Sequence, residues 1–81
     1  MYRIESPETL IGRSPTAHLS VPDDSISREH AVVLLEGDDY VLEDLQSTNG
    51  TRVNGKRIRS ARLEHGDHIQ IGQTQLRFSL R

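Results

Sequence analysis

Thr51-Arg52-Val53-Asn54-Gly55-Lys56-Arg57-Ile58 is the stretch that settles the fold class. Two short runs flank Asn-Gly, the pair best suited to a type I′ turn because both residues tolerate positive φ, so the stretch predicts a tight β-hairpin. Outward from it the same two-residue period continues. His68-Ile69-Gln70-Ile71 alternates, and residues 75–81 place Leu76, Phe78 and Leu80 on one face and Gln75, Arg77 and Ser79 on the other. Upstream, Ala31-Val32-Val33-Leu34-Leu35 is continuously apolar, as in a strand covered on both sides. It ends in Gly37-Asp38-Asp39, and Tyr40-Val41-Leu42-Glu43-Asp44 reads as its hairpin partner. Ser6-Pro7, Ser14-Pro15, Pro22-Asp23, His65-Gly66-Asp67 and Gly72 add turn signals. No segment carries ten residues of helical periodicity. The expectation is an all-β fold, an antiparallel β-sandwich of short strands, formed by residues 1–81 as one domain.

Composition narrows the function. A chain of 81 residues buries only about two-thirds of its unfolded surface, too little for a large enzyme cleft with its own lid. A formal charge of -2 argues against coating nucleic acid, which calls for a basic face. With no cysteine, neither a disulfide framework nor a thiolate zinc site can form. Nothing in Met1-Tyr2-Arg3-Ile4-Glu5 resembles a secretory h-region, and no run has the length of a transmembrane helix. The expected setting is cytoplasmic, with no membrane or nucleic-acid partner and no cofactor or metal.

Three polar signatures interrupt the strand-like runs: Gly12-Arg13, Ser27-Arg28-Glu29-His30 and Ser47-Thr48-Asn49-Gly50-Thr51. They supply a guanidinium, hydroxyls, a side-chain amide and glycines that free backbone N–H groups. Loops at one end of a sandwich converge, so these segments can meet despite their separation in sequence. Such a set suits a phosphate carried on an extended peptide. At these positions the chain resembles the forkhead-associated (FHA) domain, a phosphothreonine-reading module, from about Thr9 to Phe78.

The resemblance implies a role for each residue. Arg13 is the phosphate-binding arginine, since a guanidinium offers a planar, permanently charged donor fork, and Gly12 allows the turn before it. Ser27 donates its hydroxyl to the phosphate and Arg28 touches phosphate or peptide backbone. His30 is a buttress whose ring holds the loop presenting Ser27. Thr48 contacts the phosphate, Asn49 anchors the peptide main chain through its donor and acceptor, and Gly50 permits the tight loop. Ser25 and Ile26 tune selectivity for the peptide's third residue after the phosphothreonine.

Other motifs fail on chemistry. Residues 50–56 have P-loop spacing, but Arg57 stands where Ser or Thr must ligate magnesium. His65, Asp67 and His68 read as a solvated turn. Asp24, Ser27 and His30 lie too close on one loop for a catalytic triad. The implied function is a non-catalytic phosphothreonine-peptide recognition module in Ser/Thr-kinase signalling, within a larger regulatory protein. The alternative is a phosphate-independent FHA-like interaction or assembly domain. The chain departs from the family at its start, where Met1 leaves no room for the strand that precedes Tyr2–Glu5. That predicts an open edge along residues 75–80, which would recruit another strand or a second copy.

Overall fold

The computed structural model describes residues 1–80. It contains β1 (Glu8–Gly12), β2 (Leu19–Ser20), β3 (Ala31–Glu36), β4 (Asp39–Asp44), β5 (Thr51–Val53), β6 (Lys56–Ile58), β7 (Ser60–Leu63), β8 (His68–Ile71) and β9 (Thr74–Arg77). They form a five-stranded sheet ordered β2-β1-β3-β4-β7 and a four-stranded sheet ordered β6-β5-β8-β9. The expected β-sandwich is what the chain adopts. All pairings are antiparallel except β1 with the two-residue β2, which is parallel.

Alternation decides what lies between the sheets. Ile11, Ala31, Val33, Leu42 and Leu63 from the larger sheet meet Ile69, Ile71 and Phe78, with Ile26 closing one end. Burying an Ile, Leu or Phe contributes about 1.5–3 kcal/mol each, which makes this layer the main stabilising term. Tyr40 packs its ring at 59° to Phe78, centroids 5.4 Å apart, a tilted geometry suited to aromatic quadrupoles. Asn54 and Gly55 take φ of 52° and 85°, the type I′ pattern expected of the β5–β6 hairpin.

Two expectations need correction. Only Ala31, Val32 and Val33 of β3 are buried; Leu34, on the outer face of its sheet, is half-buried, and Leu35, at the hairpin end of the strand, is exposed. The alternation over residues 75–81 ends early, with β9 stopping at Arg77. There Phe78 donates its N–H to the Asp67 carbonyl and accepts from Gly66 N–H, so the chain ties to the 64–67 turn. Leu80 is consequently exposed, and Arg81 lies outside the described residues. Residues 2–5 form no strand, and among the described residues nothing pairs with the outer side of β9.

Candidate functional site

The C-terminal ends of β1, β4 and β8 and the N-terminal ends of β3 and β5 lie at one end of the sandwich, and their loops carry the polar signatures. Gly12 is what brings the first two loops together. It is buried, and a Cβ there would collide with the Arg28 carbonyl, so only glycine lets β1 pass beneath the 27–30 segment. The close approach is sealed by Arg13 N–H to Ser27 O at 3.0 Å and Ser14 N–H to Arg28 O at 3.1 Å. Arg13 donates its Nε–H to Ile26 O at 3.0 Å. That single bond orients the guanidinium and leaves its terminal nitrogens without a protein partner among the described residues.

His30 is fully buried and joins three segments. Its backbone N–H donates to Ile11 O and its carbonyl accepts from Leu45 N–H, both at 2.9 Å. Ring Nδ1 accepts the Ser27 N–H at 3.1 Å, which requires the proton on Nε2, and Nε2–H donates to Gly50 O at 2.8 Å. With both nitrogens engaged by backbone, the ring positions the Ser27 and Gly50 loops and has no lone pair left for a metal or a substrate proton.

The third loop has its own organiser. Asp44 accepts the Ser47 hydroxyl, the Thr51 hydroxyl at 2.7 Å and the Ser47 N–H at 3.2 Å, while Ser47 Oγ accepts Gly50 N–H at 3.0 Å. Burial pushes the Asp44 carboxyl up, but the hydrogen bonds from Ser47 and Thr51 outweigh it and hold the group below the usual carboxylate range. The held loop reaches back to the second one. Thr48 N–H donates to Ser27 Oγ at 3.0 Å, leaving the Ser27 hydroxyl proton free to donate outward. Asn49 donates from Nδ2 to Ser25 O at 2.8 Å, leaving its side-chain oxygen free. Thr48, Asn49 and Arg28 are exposed.

Ile26 requires correction. Its side chain is 1% exposed and belongs to the core, so it cannot touch a peptide residue; its carbonyl instead orients Arg13. Ser25 is occupied within the protein. Its N–H and hydroxyl bond Asp23 Oδ1 at 2.9 and 2.8 Å, and its Oγ accepts Gln73 N–H at 2.8 Å. The Thr74 hydroxyl reaches Asp23 Oδ2 at 2.8 Å, and Gly72 is the only residue type that fits, since a Cβ would lie 2.5 Å from Ser25 O. N–H and hydroxyl donors from Ser25 and the Thr74 hydroxyl lower the Asp23 pKa. The β8–β9 turn is thus a fourth component, latched to the second loop.

Asp23, Asp44, Gly72 and Gln73 are positioning residues that sequence reading passed over. Asp44 had a local signal, a carboxylate three residues before Ser47 at a strand end. Gly72 and Gln73 had none, because their partner Ser25 lies 48 positions from Gln73. Arg57, read only as a hairpin residue, lays its guanidinium against the Gly50 α-carbon: a Cβ there would come 2.8 Å from Nε. His65, Asp67 and His68 are each tied to local partners, Leu80 N–H, Asn54 and Gln75 respectively.

The molecule is a two-sheet sandwich that presents a guanidinium, hydroxyls and amides on shallow loops at one end. Within that class, the chain belongs to the forkhead-associated family: the FHA domain model matches residues 9–72. It is 39% identical over 77 residues to the glycogen accumulation regulator GarA of Mycolicibacterium smegmatis, covering 95% of this chain and 49% of that protein. It is likewise 39% identical over 80 residues to the transcriptional regulatory protein EmbR of Mycobacterium tuberculosis, covering 98% of this chain and 21% of EmbR. The chain therefore spans half or less of these relatives. Among solved structures, one from a study of phosphothreonine-dependent FHA domain interactions superposes with a TM-score of 0.94 at 32% identity, covering 99% of this chain and 83% of the other. Mycobacterium tuberculosis EmbR in complex with a low-affinity phosphopeptide gives 0.91 at 36% identity, covering 94% and 20%.

Proposed function

We propose that this domain is a non-catalytic reader of phosphothreonine peptides in cytoplasmic Ser/Thr-kinase signalling, acting as one part of a larger regulatory protein. The observation that carries the reading is the unspent donor set. Arg13 keeps its terminal nitrogens free while its Nε is bonded to Ile26 O, and Ser27 keeps its hydroxyl proton while Oγ accepts Thr48 N–H. A phosphate-independent interface would have no use for a buttressed, unpaired guanidinium beside a free hydroxyl. Membership of the FHA family and the likeness to a structure with bound phosphopeptide support the same chemistry. Asn49 and Arg28 fit the peptide main chain, and Thr48 fits the phosphate.

The test is calorimetric titration with a phosphothreonine peptide, its phosphoserine analogue and the unphosphorylated twin. The first should bind, the second about tenfold more weakly for want of a methyl contact, and the third not at all. Arg13→Ala should cost on the order of 2 kcal/mol of binding, thirtyfold or more, with little change in the melt. Equal affinity for the unphosphorylated peptide would overturn the reading. The unpaired side of β9 supports a second contact, strand pairing with another copy, which sedimentation would reveal as a concentration-dependent dimer.

A further inference from the structure

The four-stranded sheet turns a basic face outward. Thr51, Ile69 and Ile71 point into the core, so the alternate positions on these strands point to solvent. These are Arg57 on β6, Arg52 on β5, His68 and Gln70 on β8, and Gln75 and Arg77 on β9. None is acidic, in a chain whose net charge is -2. Asp67, at the start of β8, is taken by Asn54 and the Glu64 N–H. Arg52 and Arg57 are directly opposite one another in the β5–β6 pair. Like charges so placed destabilise a sheet, and among the described residues neither has an ion pair or a side-chain hydrogen bond to offset it. The strip is continuous with the site, because the Arg57 guanidinium lies against Gly50, next to Asn49.

We propose that Arg57 and Arg52 form an extension of the phosphopeptide site that binds acidic residues flanking the phosphothreonine, so that the preferred partner is a phosphorylated acidic segment. This rests on the phosphopeptide reading above. Two unpaired guanidiniums a strand apart complement a pair of carboxylates, and the partner's charge would relieve the repulsion that folding leaves between them. The outer face of the larger sheet contrasts with it, carrying Glu8, Glu36, Asp39 and Glu43 around Leu10, Val32, Leu34 and Val41, while its one basic strand residue, Arg62, is already paired with Asp39 and Glu64. An acidic segment is drawn to one face and repelled by the other.

The experiment uses three phosphothreonine peptides that differ only in their flanking residues, Ala, Asp or Lys. They are titrated against the wild-type domain, Arg52→Gln/Arg57→Gln and Arg52→Glu/Arg57→Glu at two salt concentrations. The Asp-flanked peptide should bind the wild type about three- to tenfold tighter than the Ala-flanked one, and the gap should narrow in high salt. The Gln pair should erase the gap between the Asp- and Ala-flanked peptides, and the Glu pair should invert it in favour of the Lys-flanked peptide. Thermal melts should show the Gln pair at least as stable as the wild type, since a repulsion is removed. A gap that survives in the Gln pair, or no gap in the wild type, would overturn the extension while leaving the phosphopeptide reading intact. Failure of all three phosphopeptides to bind the wild type would overturn both.

Discussion

The chain uses Asn-Gly twice, five residues apart, and the two copies do different work. Asn54-Gly55 closes the β5–β6 hairpin with φ of 52° and 85°. Nothing lies within 4 Å of a Cβ built on Gly55, and the Asn54 side chain bonds Asp67 and the His68 N–H at 3.0 and 2.9 Å, stitching one turn to another at the end away from the site. Asn49-Gly50 sits among the three signatures. Gly50 is buried at φ 87°, its carbonyl accepts from His30 and its N–H is held by Ser47, while Asn49 reaches Ser25. An identical dipeptide is a plain turn in one place and part of the proposed site in the other, and the difference lies wholly in what the fold brings against it.

The comparison can be broken first at its buttress. His30→Ala should cost about 2–4 kcal/mol of stability, because it opens a buried cavity and orphans Ser27 N–H and Gly50 O. It should weaken phosphopeptide binding as well, both read by melting and titration. Unchanged stability with lost binding would show that His30 touches the ligand.

Next come the asparagines. Asn49→Ala should weaken binding about tenfold or more while shifting the melt by only a few degrees, since one exposed bond is worth roughly 1 kcal/mol. Asn54→Ala should do the reverse, costing about 1–2 kcal/mol through its positive φ and two lost bonds and leaving affinity unchanged. Similar affinities for the two variants would erase the distinction.

The glycines give a smaller effect. Gly50→Ala and Gly55→Ala should each cost about 1 kcal/mol from forcing a side chain to positive φ. Only Gly50→Ala should also reduce binding, because its methyl must displace Arg57. The last test is acid. The folded Asp44 pKa is depressed, so its stabilising contribution is complete above the unfolded carboxylate value near 4 and is lost as pH falls through the lower folded value. Asp44→Asn should flatten that acid limb of the stability curve. An unaltered limb would mean that the loop does not depend on the ionised carboxylate.

Local chemistry made much of this legible. The period-two pattern and the Asn54-Gly55 turn specify β-hairpins by backbone sterics alone, and the Gly12-Arg13, Ser27–His30 and Ser47–Thr51 signatures carry their donors in their own side chains. The family resemblance placed those signatures at one site before any contact was visible. What the sequence could not express is anything that depends on a distant partner. Ile26 looks like a loop residue ahead of Ser27, yet the sandwich swallows its side chain. Gly72 and Gln73 become part of the site only because Ser25 is folded against them. Arg57 joins only because its hairpin leans over Gly50. Alternation and turn propensity act over two to four residues and can be read along the chain, whereas burial and close approach are set by which strands lie side by side, and only the packed sheets decide that.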